Sequence, residues 1–278
     1  MKIVNTVPEI LSAFADARFD RQTWRDYAGA IFLELPKLCE EDAEKYEFER
    51  DVLPLIEAAL KQPERIRRLG SSFEHVLVEL QGNLSTLFDR ECEVTVVLHL
   101  GLCNAAGRTT FLGEEKVMLL GVEKILELNW DSEEKLKSLL YHEIGHIWHG
   151  TYGELEFSVH SQREQSILQL WQEGIAMVCE QILNGDEMYY HQNENGWLAW
   201  CQKQEAMIKQ EYRRRLERQE STQDFFGDWC DFRGYSDVGY YLGCRFVWWM
   251  RMEWGLREIA SMGYEELYRE YLRYSGTE

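Results

Sequence analysis

Apolar residues at helical spacing open the chain. In "VPEILSAFADARF" and "DYAGAIFLELPKLCE" they recur every three or four positions, and "FEHVLVELQGNLSTLF" continues the pattern to a break expected at Gly82 and Asn83. Residues 1–92 therefore read as an N-terminal helical region. The character changes at residue 93. "EVTVVLHLGL" is dense in β-branched and aliphatic side chains, as a buried strand is, and "KVMLLGVEKILEL" begins as a strand and then turns helical. Between them "CNAAGRTTFLGEE" has the asparagine, glycines and small residues of a loop or hairpin. From residue 131 helical spacing returns through Leu136, Leu139, Leu140, Ile144, Ile147 and Trp148. Asp131 or Ser132 can cap this helix, and Gly150 is its expected stop. A second helix is expected from about Gln162 to Leu183, ending near Asn184-Gly185, with others over 196–220, 237–254 and 264–273. Helices, a small sheet and helices again predict an α+β, mostly helical fold, with 93–278 as one compact region.

Composition narrows the possibilities. With 278 residues, 45% of them hydrophobic and 13% aromatic, the chain can bury a sizeable core. Pro63 is the last of four prolines, so nothing beyond it forbids helix. No run of about 18 apolar residues occurs, which argues against a membrane span. The opening "MKIVNTVPEILSAFADARFD" carries polar and acidic residues where a signal peptide needs an apolar stretch, so a cytoplasmic protein is expected. Seven scattered cysteines, never spaced C-x-x-C, suit free thiols and speak against a cysteine-based zinc site. A formal charge of −19 would repel a phosphate backbone, so nucleic acid is not expected as a partner. The basic stretch "YRRRLER" at 212–218 has Glu205, Glu211 and Glu220 around it, and reads as a solvated helix face with paired charges.

The candidate chemistry lies in "LLYHEIGHIWHG", residues 139–150, which holds three of the seven histidines around one glutamate. On a helix His142 and His146 are one turn apart on one face, so both imidazoles can reach a single Zn²⁺. Glu143 points to the side, where it can act as a base on a water near the metal. His149 falls one further turn along and is expected to line the cleft. A third ligand is still required. Glu173 in "LQLWQEGIAMV" is the better candidate, because a carboxylate among Leu170, Trp171, Ile175 and Val178 needs a partner. Its rival, Glu164, sits in the polar "SQREQS". Gly174 and Ala176 are small enough for two helices to pack closely.

"HEIGHIWHG" followed by "LWQEGIA" resembles the gluzincin metallopeptidases, in particular the M1 aminopeptidase pattern H-E-x-x-H-x-W-x-G with L-W-x-x-E-G-x-A. It is also similar to small predicted intracellular zinc proteases that share HExxH…EGxA and a later GYxxG. The resemblance implies a zincin-like helical catalytic core beside the sheet, over about residues 93–250. It implies zinc held by His142, His146 and Glu173, with Glu143 as general base and a peptide or protein as substrate. In "YSDVGYYLGCRFVWWM" the family's Y-x-x-G pattern falls on Tyr240, which would stabilise the oxyanion. The strand around 116–121 would flank the cleft as an edge and pair with an extended peptide. Departures are plain. No G-x-M-E-N segment occurs, and the 26 residues between His146 and Glu173 exceed the aminopeptidase gap, so aminopeptidase specificity does not carry over.

The expected function is thus zinc-dependent hydrolysis of peptide bonds. The alternative is a protein-binding module, zinc-stabilised or metal-free, in which "FVWWMRMEW" at 246–254 could form an interface. Trp248, Met252 and Gly255 repeat at helical spacing there, which favours core. Arg245 could bind a substrate carboxylate or pair with an acid. The acidic loop 184–195 could hold a protease inactive.

Overall fold

The first residues of the chain form a strand, not a helix. The computed structural model describes residues 1–276 except Asn104, Leu155, Glu156 and Asp228, so Asn104 of the expected loop lies outside the described residues. Strand β1 (Lys2–Asn5) runs parallel to β2 (Thr95–His99), with Lys2 opposite Thr95 and Asn5 opposite Leu98. Its four residues are too few to carry a period, and the helical spacing that follows hides them. Thr6 then donates its hydroxyl to Leu98 O at 2.8 Å and turns the chain into helix.

Helices α1 (Val7–Ala13), α2 (Arg21–Ile31), α3 (Leu35–Ala43), α4 (Leu53–Leu60) and α5 (Pro63–Asn83) follow. The expected break at Gly82 and Asn83 is where α5 ends. α2 starts at Asp20, whose carboxylate accepts from Thr23 N at 2.8 Å, and it is tied to the end of β2 through two aromatic side chains. Trp24 Nε1 donates to Leu100 O at 2.9 Å, and Tyr27 Oη accepts from Leu100 N at 2.9 Å.

The sheet is completed by β3 (Gly107–Leu112) and β4 (Glu115–Gly121), in the order β1-β2-β4-β3. β2 lies between β1 and β4 and is buried at every residue, which explains its unbroken TVVLH run. β3 and β4 form an antiparallel hairpin joined by Gly113-Glu114, with Gly113 at φ +57°, a conformation glycine takes without strain. The strand at 116–121 is therefore interior, bonded to β2 on one side and β3 on the other, and cannot accept an added peptide. β3, from the stretch read as loop or hairpin, is an edge of the sheet, as β1 is at the other side. After β4 comes α6 (Val122–Glu127), whose buried Glu123 accepts the backbone N–H groups of Gly101 and Cys103, each at 2.9 Å.

Then come α7 (Glu133–Tyr152), α8 (Gln162–Asn184), α9 (Trp197–Arg218), α10 (Val238–Met250), α11 (Leu256–Ala260) and α12 (Tyr264–Gly276). With 62% helix and one small mixed sheet the fold is α+β and mostly helical. Ser132 caps α7 by accepting from Lys135 N at 3.3 Å, while Asp131 pairs with Arg65. α7 passes the expected stop at Gly150 and ends before Gly153, where a Cβ would lie 2.1 Å from Ala260 O. The five residues of α11 fall below the length at which spacing is informative. α10 buries Phe246, Val247 and Met250, and Trp248 donates to Gln181 Oε1 at 2.6 Å. Met252 lies beyond the helix and is 73% exposed, so it is not part of that core.

Two compact units emerge, Met1–Glu143 and Ile144–Glu278, where the sequence had set the division at 92/93. The first includes β1 to β4, because β1 and β2 pair across the whole N-terminal helical stretch. In the second, α8 is flanked by α10, α9 and α12. The arginines of α9 pair as expected: Arg213 with Glu217, Arg214 with Glu211 and Glu220, and Arg215 with Glu211 and Asp224. Arg245 pairs with Glu205 at 3.7 Å. All seven cysteines are free, and no described helix is long and apolar enough to cross a membrane.

Candidate metal centre

Two helices and their smallest residues build the site. His142 and His146 stand one turn apart on α7, and Glu173 stands on α8. Gly145, between the two histidines, lies against Ala176: a Cβ there would meet the Ala176 backbone at 2.6 Å. Gly174 lies as closely against α10, where a Cβ would sit 2.3 Å from Gly243 O. Glycine is needed here for proximity, since side chains would push the backbones apart. Glu173 is thereby held between a tight contact on each side.

One ligand atom from each of His142, His146 and Glu173 lies within 4.8 Å of the others, and among the described residues no other trio of His, Cys, Asp or Glu comes as close. His146 Nε2 is 3.4 Å from Glu173 Oε2. Two atoms bound to a tetrahedral Zn²⁺ at its usual bond lengths stand about 3.3 Å apart, so this pair already spans one tetrahedral edge. Two imidazoles and a carboxylate fit that ion by chemistry as well as by separation.

Glu143 is buried and lies outside this ligand group. Thr109 Oγ1 of β3 donates to its Oε2 at 3.1 Å. Glu164, the rival third ligand, is engaged elsewhere. Its backbone N–H is taken by Ser161 Oγ at 3.2 Å, and its carboxylate accepts from His160 N at 2.6 Å, capping the start of α8.

His149 does not line a cleft. It is fully buried, 3.3 Å from Ala260 O through Nε2 and edge-on to Trp171 with ring centroids 4.3 Å apart. Trp171 Nε1 donates to Ile259 O at 3.0 Å, so the tryptophan of the LWQEG segment packs α11 against α8. Burial, with His146 nearby, lowers the His149 pKa to about 3. Below its ordinary value of 6.5 the unfolded chain takes up a proton that the folded chain refuses. The part of the metal-free protein's stability that depends on His149 is therefore expected to fall as pH drops from about 6.5 toward 3, by up to about 1.4 kcal/mol per pH unit. Urea unfolding at pH 7, 6 and 5 checks this. His149→Gln, which keeps an N–H for Ala260 but cannot titrate, should reduce the slope, leaving the share of His99, whose pKa burial lowers to about 4.

The two adjacent tyrosines separate. Tyr241 is buried and donates to Glu205 Oε2 at 2.6 Å. Tyr240, on the first turn of α10, is half-buried, with Phe226 edge-on at 5.9 Å and the His191 ring at 6.5 Å. His191 itself went unnoticed in the sequence. Its Nδ1 is 3.0 Å from both carboxylate oxygens of Glu180, and both residues are buried. Glu180 is two turns beyond Glu173 on the same face of α8, and its apolar surroundings were the available signal. His191 lies in the loop after α8, where no periodicity marks it. Comparison with protein-family models, with curated proteins and with solved structures finds no match.

Proposed function

We propose that this chain is a zinc-dependent hydrolase of peptide bonds, of the gluzincin type, with His142, His146 and Glu173 as metal ligands. The observation that carries the reading is the convergence of those three donor atoms. Structural zinc takes four protein ligands, whereas hydrolytic zinc takes three and leaves a position open. Among the described residues no fourth His, Cys, Asp or Glu joins the group. When bound, the ion supplies Lewis acidity to a carbonyl and lowers the pKa of water toward about 7.

The chain's own side chains supply the proton traffic. Glu143, adjacent to a ligand but outside the ligand group, takes a proton from the attacking water and returns it to the leaving amine. Tyr240 donates to the developing oxyanion, a role that rests on the Y-x-x-G resemblance and on Tyr241 being engaged with Glu205. The peptide as substrate rests on the HEIGHIWHG and LWQEGIA likeness. An extended substrate suits β3, the edge strand that touches Glu143.

Metal analysis combined with a peptide-library screen tests the proposal. One zinc per chain is expected, with cleavage that a chelator abolishes and added zinc restores. Zinc at one per chain with no peptide cut overturns the hydrolase reading, and protein that takes up no zinc overturns the site as well.

A further inference from the structure

β3 begins with a glycine that its backbone does not require. Gly107 lies in ordinary extended conformation at a strand position, where glycine weakens a sheet unless something approaches closely. What approaches is Glu143. A Cβ at 107 would lie 2.6 Å from its Oε1, 2.8 Å from Cγ and 2.9 Å from Cδ, and all three nearest atoms belong to that one side chain. Two residues on, and so on the same face of the strand, Thr109 donates to the other carboxylate oxygen. One oxygen is thus accommodated by a missing side chain and the other is held by a hydroxyl.

We infer that Gly107 and Thr109 of β3 are positioning residues that seat the Glu143 carboxylate in one orientation. The catalytic consequence rests on Glu143 being the base. The seat itself is a property of β3 and α7 and can be tested without turnover. A buried carboxylate on a flexible two-carbon stem has several rotamers, and a base displaced by about 1 Å loses on the order of 10²-fold in rate. The strand restricts that choice from both sides.

A double-mutant cycle at 107 and 143 tests the seat in the full chain. Gly107→Ala is expected to lower the melting temperature by about 2–4 °C with Glu143 present. In a Glu143→Ala background the same change should leave it unchanged or raise it, because alanine suits a strand better than glycine. Equal losses in both backgrounds would overturn the inference. In the zinc-loaded protein, Thr109→Val is expected to lower kcat about 10-fold, with KM and zinc content unaltered, and Thr109→Ser to restore it to within about 2-fold. Gly107→Ala should lower kcat about 100-fold. Coupling in the cycle with unchanged kcat in both variants would also overturn it. A wild-type chain that cuts no peptide removes the hydrolase proposal instead, and the cycle still decides the seat.

Discussion

Glu143→Gln is expected to retain one zinc per chain and to lower peptide hydrolysis about 10³-fold, within the range that general acid–base catalysis supplies. The substitution changes little else. Glutamine has the same length and branching, so it fits the space left by Gly107, and its carbonyl oxygen can accept the Thr109 hydroxyl as the carboxylate does. Glu143 is not among the converging ligand atoms, so zinc content should not move. What is lost is an atom that can hold the water's proton and release it to the leaving amine. Turnover on the best library peptide, with metal analysis of the same preparation, gives both numbers. Turnover within a few-fold of the wild type would remove Glu143 as the base, and Glu180 with His191 would be the next acid–base pair to examine.

Long, strongly periodic segments revealed themselves before any coordinates, because burial repeats along them. α7 and α8 lie within two residues of their expected limits, and Gly185 ends α8 at φ +68°, as its position after Asn184 suggests. Glu173 stood out for a different reason: a carboxylate in an apolar stretch is costly unless something compensates it. Features that arise from contacts remote in sequence stayed hidden. β1 exists because β2, some ninety residues later, offers it an edge. β3 was read as loop or hairpin partly because it contains Gly107, yet that glycine answers to Glu143 and not to a turn. His149 was expected to line the cleft from its angle on α7. It is instead enclosed by Trp171 and Ala260, partners that only the packing of α8 and α11 supplies. The edge role expected at 116–121 fails for the same reason, since β3, the preceding arm of the hairpin, covers one side of that strand and β2 the other.

Glu173→Ala should release zinc. An ion left with two imidazoles has lost its one anionic ligand, and affinity should fall by more than the 10–100-fold that loss of an outer hydrogen-bonding partner costs. The structure limits rescue. Glu164 is committed to the first turn of α8, where moving its carboxylate would leave the His160 N–H without its acceptor. His149 would have to leave a fully buried place against Trp171. The fold itself should survive, because α8 keeps its contacts with α7 and α10 through Ala176 and Gly174, neither of which involves the carboxylate. Titration against a chromogenic chelator, with far-ultraviolet circular dichroism as a check on helix content, separates ligand loss from unfolding. Wild-type zinc affinity in this variant would mean that the ion is held elsewhere, and the convergence of His142, His146 and Glu173 would then be ordinary side-chain packing between two helices brought close by glycine.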